Sequence, residues 1–393
     1  MTDLSRDNRL MMLALFLWAS GEGLFVFIQP IYIQQLGANP AQIGGVLSLA
    51  GLGLAVAYLP GGLLADHAPR KLVLFGGWML GIVGALAIAL ANDWHGVIPG
   101  ILLYALSAFC VPAISSTIAD AADGMPLARV LTLTYAGYWA GNIISPWIGG
   151  WLASLTSMRT VYVAAAICFA ASTVVVLMIS TRPSAVRVRP WQRPSAASLH
   201  FGATFGVIVF AIFLTMYIGQ PLAPNFLQNT AGWPLERIGM LGSLNALGVT
   251  LIAPALGRWS AHHRQRGLWA AQALVWVSFG LLLIGARGLP GLVCAAFFLR
   301  SGYGACRSLT SALIAGQVSE HNRGLAFGLA ESSVASAQMA APYAAGLLYS
   351  TLPSAPILAG LVLIPAAMLL SPLLGQRPFP TLNRQEAIHE PNP

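Results

Sequence analysis

GNIISPWIGG, residues 141–150, lies inside a long apolar run and holds one proline and three glycines. There Pro146 removes one backbone hydrogen bond, and Gly149 and Gly150 permit a bend or a close helix contact. Its second half, SPWIGG at 145–150, returns as APYAAG at 341–346, an offset of 196. GLLADHAPRK (62–71) has a counterpart in GRWSAHHRQR (257–266), at 195, and Gln29-Pro30 in Gln220-Pro221, at 191. Three landmarks in the same order at nearly one offset argue for a tandem duplication, with a longer connection after the seventh apolar run absorbing the difference.

The whole chain shares the apolar character of that stretch. Of 393 residues, 57% are hydrophobic and only 8% charged, where soluble domains carry roughly 25% charged residues. No soluble core absorbs so much apolar surface, so lipid is the solvent for most of the chain. A span needs about 20 mostly apolar residues. Twelve runs qualify, at 10–33, 44–64, 72–91, 97–119, 130–153, 161–180, 201–222, 238–257, 268–286, 291–316, 324–349 and 355–374. None alternates with period two at barrel length. The expected fold is an all-α membrane protein of twelve transmembrane helices in two six-helix halves of the same orientation, the parallel-repeat arrangement of transporters. The expected divisions are 1–180 for the first half, a Pro-, Ser- and Arg-rich linker at 181–200, 201–374 for the second half, and a tail at 375–393.

A net charge of +8 in a soluble chain would suggest a nucleic-acid partner. Here the positions of the charges argue otherwise. An even number of spans puts both termini on one side, and fifteen of the 20 basic residues fall there. Arg159, Arg237 and Arg287 fall on the other side, while Arg300 and Arg307 lie within a span. By the positive-inside rule the termini face the cytoplasm. Nineteen of the basic residues are Arg, which with abundant Ala and Gly points to a GC-rich bacterial genome and a bacterial cell membrane. Arg6 and Arg9 before LMMLALFLWAS imitate a signal peptide. The run continues through GLFVFIQPIYI, however, and reads as a retained first helix. Cys110, Cys168, Cys294 and Cys306 fall in apolar runs at unrelated spacings and read as small buried hydrophobes, with neither a disulfide framework nor a metal pattern.

These motifs resemble the major facilitator superfamily over essentially the whole chain. The family's loop between helices 2 and 3 follows G-x-x-x-D-R-x-G-R-K. Gly62, Asp66, Arg70 and Lys71 match it, with His67 and Pro69 as departures. The helix 5 signature of the family's proton-coupled antiporters, G-x-x-x-G-P-x-x-G-G, is met by Gly141, Pro146, Gly149 and Gly150, with Ser145 for one glycine. A third pattern, R-x-x-Q-G, normally lies in helix 4, where this chain has Tyr104, Ser107 and Ala108. A version stands instead in helix 10, as Arg300, Tyr303 and Gly304. The resemblance implies alternating access by rocking of the halves, with the helix 5 motif and its partner Pro342 in helix 11 at the moving contacts.

Polar residues inside spans single out a candidate site. Residues seven apart on a helix differ by about 20° in direction. Arg300 and Arg307 therefore share a face with Tyr303, Glu22 is expected to share one with Gln29, and Glu331 with Gln338. Helix 5 offers Tyr135, Tyr138 and Asn142, and Asn142 corresponds to Gln338 at the repeat offset. Intramembrane polar groups usually face a water-filled cavity. Gln29, Tyr138, Asn142, Arg300, Tyr303, Arg307 and Gln338 are thus the candidate substrate-binding residues. Depth counted at about 1.5 Å per residue brings Arg307 and Glu331 to one level on neighbouring antiparallel helices, so these two are expected to pair. Glu22 and Arg300 lie at different depths, which leaves Arg300 to meet an anionic or polar group of the substrate. A carboxyl that alternates between a desolvated setting and a cationic one takes up and releases a proton. Glu22 is the first candidate for that task and Glu331 the second. Asp120 and Asp123 are expected to cap or solvate the end of helix 4, and His262-His263 to be a plain loop.

The expected function is secondary active transport, as proton-coupled efflux of small amphipathic compounds; the alternative is a uniporter or symporter of a polar or anionic metabolite. No H-E-x-x-H, G-x-S-x-G or phosphate-cradling stretch is present, so no enzymatic activity, cofactor or nucleic-acid partner is expected. Two six-helix halves make a complete unit as a monomer.

Overall fold

A computed structural model describes residues 4–180, 196–260, 263–317 and 323–374, and those residues are helical with short connections. The helices are α1 (Arg6–Val26), α2 (Gln29–Gln35), α3 (Pro40–His67), α4 (Arg70–Leu90), α5 (Trp94–Leu106), α6 (Val111–Asp120), α7 (Leu127–Leu155) and α8 (Met158–Leu177) in the first half. In the second half they are α9 (Ala196–Tyr217), α10 (Ala223–Ala231), α11 (Leu235–Trp259), α12 (Arg264–Gly285), α13 (Pro290–Leu299), α14 (Gly302–Gln317), α15 (Arg323–Thr351) and α16 (Ala355–Leu370). Pairs α1–α2, α5–α6, α9–α10 and α13–α14 are broken rods, so sixteen helices make twelve spans, in agreement with the expected fold. Helix α9 starts at Ala196, inside the segment read as a linker; residues 181–195 and the tail 375–393 lie outside the described residues.

The breaks recur in both halves. Pro30 and Pro224 open α2 and α10 in the first helical turn, where a missing N–H and a fixed φ do no harm. A 3₁₀ turn at Ser107–Cys110 interrupts the fourth rod, and the tenth is interrupted at Arg300–Ser301. The chain breaks at Phe27–Ile28, between Glu22 and Gln29, and Gln29 is buried.

Among the described residues, eight helices are long and apolar enough to cross a membrane. Among those outside that set are α7, α13, α14 and α15, the elements that carry most of the intramembrane polar residues. Packing inside the halves is tight and aromatic. Trp18 stacks on Phe169 with centroids 4.2 Å apart and lies 5.2 Å from Trp78. The Trp78 indole donates to Ser172 Oγ at 2.7 Å, and Ser172 donates to the Ala14 carbonyl at 2.6 Å. In lipid such contacts and close helix approach, rather than hydrophobic expulsion, hold helices together. All four cysteines are free thiols. Cys110 and Cys306 are buried as expected, while Cys168 and Cys294 are only half-buried.

Candidate functional site

The halves meet along two seams, α7 against α11 and α3 against α15, built to one plan. Small residues let the backbones touch. A methyl group at Gly239 would stand 2.9 Å from Gly150 Cα, and one at Gly44 would stand 3.0 Å from Tyr343 Cα. The Trp147 N–H, just after Pro146, donates to Ser243 Oγ at 3.1 Å. The Tyr343 N–H, just after Pro342, donates to Ser48 Oγ at 3.1 Å. At the repeat offsets of 196 and 195 these two hydrogen bonds are copies of each other.

Rod direction places the seams. α7 and α15 begin at the end of the molecule that holds the chain termini, and Pro146–Gly150 and Pro342–Gly346 lie near their other ends. α3 and α11 run the opposite way, and Gly44, Ser48, Gly239 and Ser243 lie near their starts. Both seams therefore close the end opposite the termini. Gln34 joins the same seal: its side chain exchanges hydrogen bonds with Asn229, both at 3.1 Å, and accepts one from Asn225 at 2.6 Å, while Asn225 also donates to the Pro30 carbonyl at 3.1 Å.

Within the 141–150 motif the glycines face different neighbours. Gly141 and Gly149 pack on the α1 backbone, at Phe16–Ser20 and at Leu24, whereas Gly150 and Pro146 pack on α11. Ser145, in place of the motif's glycine, donates to the Gly141 carbonyl at 2.8 Å and lies 3.3 Å from that of Ala19. The motif thus ties α1 to α7 on one side and the two halves together on the other.

In the first half, Tyr138 donates its hydroxyl to the Glu22 carboxyl at 2.8 Å, and Tyr104 reaches the same carboxyl. Asn142 donates to the Tyr138 carbonyl at 3.3 Å. Tyr135, one turn before Tyr138, pairs instead with Ser115 at 3.2 Å. In the second half the two arginines part company. Arg307 forms an ion pair with Glu331, and both side chains are nearly half exposed, 47% and 44%. Arg300 lies over the rings of Phe297 and Phe27, 4.6 and 5.4 Å from their centroids. Its Nε and Nη1 are buried without a hydrogen-bond partner among the described residues, as is the Tyr303 hydroxyl. Gln338 and Arg307 lie near that hydroxyl.

The loop motif is placed in part. Gly62 and Asp66 fall in the last turns of α3, and the Asp66 side chain lies outside what the structure describes. Arg70 forms an ion pair with Asp120 and donates to the Ser116 carbonyl at 3.2 Å; Lys71 donates to the Ile179 carbonyl at 3.1 Å. Asp120, read from sequence as a cap or solvated end, is therefore an ion-pair partner. Its distance of 50 positions from Arg70 gave no local sign of this. Tyr104 had a signal, as the residue standing where the family's helix 4 arginine is absent. Phe27, Ser48, Ser243 and Gln34 had none, being ordinary residues in apolar or loop settings.

A model of the Major Facilitator Superfamily matches residues 11–207 and again 205–393. The chain belongs to the Major Facilitator Superfamily. Among relatives of this superfamily it is 26% identical over 284 residues to a putative sugar efflux transporter of Deinococcus radiodurans, covering 68% of this chain and 72% of that one. It is 22% identical over 371 residues to the quinolone resistance protein NorA of Staphylococcus aureus, covering 89% and 93%. A crystal structure of the nucleoside transporter NupG superposes with a TM-score of 0.79 at 15% identity, over 94% of this chain and 98% of that one, a likeness of fold. This chain is a multi-pass membrane transporter of a small molecule.

Proposed function

We propose that the protein exports small amphipathic compounds in exchange for protons, across a bacterial cell membrane with both termini in the cytoplasm, and that it works as a monomer. One observation carries the proton coupling. The intramembrane carboxyl of Glu22 is held by Tyr138 of α7, and α7 also forms a seam through Pro146 and Gly150 eight and twelve residues further on. A shift of α7 that parts the seam also moves the phenol relative to the carboxyl. Proton affinity of a carboxyl follows its hydrogen bonds and solvation, so opening and closing would load and unload Glu22. Glu331, half-exposed and held by Arg307, is the second proton candidate. With the termini cytoplasmic, the seams close the outer side, Asn142, Arg307 and Gln338 line the solute path that opens inward, and Arg300 and Tyr303 stand with buried polar atoms at its closed end. The likeness to a putative sugar efflux transporter and to a quinolone resistance protein supports the outward direction.

The test uses purified protein in liposomes with a pH-sensitive dye inside and an imposed solute gradient. Lipophilic cations, neutral amphiphiles, sugars and organic anions are offered in turn to the native chain and to Glu22→Gln. The expected outcome is a solute-dependent pH change that the substitution reduces by about a hundredfold or more, the scale of losing one essential proton-transfer group. Solute movement without a pH change, or coupling that survives Glu22→Gln, would remove the antiport reading.

A further inference from the structure

The second half holds a buried base without an acid. At the 196 offset Arg300 occupies the place of Tyr104, which in the first half reaches Glu22. At the 191 offset the place of Glu22 is taken by Phe213, whose ring stands edge-on to Tyr303 with centroids 5.2 Å apart. Where the first half carries an acid and a phenol, the second half thus carries hydrocarbon and a guanidinium at the matching positions. Seven residues further along the rod, Arg307 has a carboxylate; Arg300 has two aromatic faces. Ring faces attract a cation but accept no hydrogen bonds along the guanidinium plane. Nε and Nη1, which lie on different edges of the guanidinium, are left unsatisfied; the side-on fork that suits a carboxylate joins Nε to Nη2, as Arg307 offers it to Glu331.

One of the two covering rings comes from the opposite half. Phe27 stands at the kink between α1 and α2, packs against Gly242 of α11 beside the seam, and meets the Phe297 ring edge-on at 5.6 Å. When the halves part at this end, Phe27 leaves with the first half, while Arg300, Phe297 and Tyr303 stay with the second. The guanidinium then loses a cation–π partner and gains room along its open edge.

We propose that Arg300 is an anion site closed by Phe27: a carboxylate on a flat apolar body binds the Nε edge of the guanidinium when Phe27 has moved away, and its ring takes the place of Phe27 against Phe297. This deepens the proposed function by naming the substrate as an aromatic or similarly flat anion, and it rests on that reading only for alternating access. A free inorganic anion offers the same charge without the flat body, and the test separates the two.

Full-length protein in lipid nanodiscs, in chloride-free zwitterionic buffer, is titrated calorimetrically with benzoate, with its neutral isostere benzamide, and with chloride. Benzoate is expected to bind at least about tenfold more tightly than benzamide, the scale of a charge-assisted pair. Arg300→Gln is expected to abolish that preference, and Arg300→Lys to weaken it by loss of the fork. Phe27→Leu keeps apolar bulk but removes the ring face, and is expected to tighten benzoate by about threefold or more. Chloride binding as tightly as benzoate, and lost with Arg300→Gln, would keep the anion site but overturn the aromatic solute. Equal binding of benzoate and benzamide, or a preference that survives Arg300→Gln, would overturn the site. Should Arg300→Gln fail to fold, Phe27→Leu decides, and an unchanged benzoate affinity overturns the closure. None of these readings needs proton flux, so they stand apart from the outcome of Glu22→Gln.

Discussion

Arg300 and Arg307 lie on one rod, about 10 Å apart along its axis, and their surroundings are opposite. Arg307 is toward the termini, half exposed and paired with Glu331. Arg300 is toward the sealed end, over two rings, with donors unmet. An exposed ion pair contributes little, about 0–1 kcal/mol, because water screens it and both side chains lose freedom. A buried charge without a partner is a different matter, since each unsatisfied donor costs about 1–3 kcal/mol and more when charged. A protein retains such a group where some step of its cycle satisfies it. Two arginines in one span are therefore not two instances of one device.

The largest expected effect breaks that contrast directly. Arg300→Leu should reduce solute transport in proteoliposomes by roughly a hundredfold, the scale of losing charge-assisted hydrogen bonds. Replacing Arg307 and Glu331 together by Leu and Gln should change it by no more than about fivefold, as expected for an exposed pair removed as a unit. Initial rates at saturating gradient measure both. If the double change is as damaging as Arg300→Leu, the two arginines act as one unit and the contrast is wrong.

Parts of this arrangement were legible in the chain. Counting depth along neighbouring antiparallel helices brought Arg307 to Glu331, because a regular helix converts residue number into height. Between Glu22 and Gln29 the same arithmetic has less purchase, because the break at Phe27–Ile28 ends the regular helix. The pair Gln29-Pro30 marked that kink, yet it served only as a landmark of the repeat. Adjacent Gly149 and Gly150 differ by about 100° in direction, so their separate neighbours, α1 and α11, follow from helix geometry once the neighbours are known. What was not legible is which half covers which. An aromatic residue in an apolar run carries no mark of its partner, so Phe27 could not be assigned to Arg300. The Arg70–Asp120 pair was hidden for the same reason, as it depends on tertiary neighbours and not on spacing.

The sealed end is where Arg300 differs most from Arg307, so loosening the seal sharpens the contrast at intermediate cost. Gly239→Val places side-chain atoms where the Gly150 Cα stands, and overpacking of this kind costs about 1–3 kcal/mol. The penalty falls on the state with closed seams, and the equilibrium should move toward parting at that end. Spin labels at Thr156 and Arg287, in exposed loops of the two halves at that end, should show a longer distance by pulsed EPR. In the same variant benzoate should bind more tightly through Arg300, with the environment of Arg307 unaffected. An unchanged label distance would mean that the seam is not what holds this end shut.

The smallest effect tests whether the two seams are equal. Ser48 and Ser243 each accept one backbone N–H across a seam, from the residue after a proline, and a single hydrogen bond contributes about 0.5–1.5 kcal/mol net. Ser48→Ala and Ser243→Ala should each shift the EPR distance distribution in the same direction and by similar amounts. Because they lie on different seams and share no partner, the double variant should show the sum. A large shift from Ser243→Ala with none from Ser48→Ala would make the duplication geometric only, with α7 against α11 doing the closing. That outcome would fit the fuller proline–glycine motif on α7, SPWIGG against APYAAG, and would place the moving contact beside the helix that holds Glu22 through Tyr138.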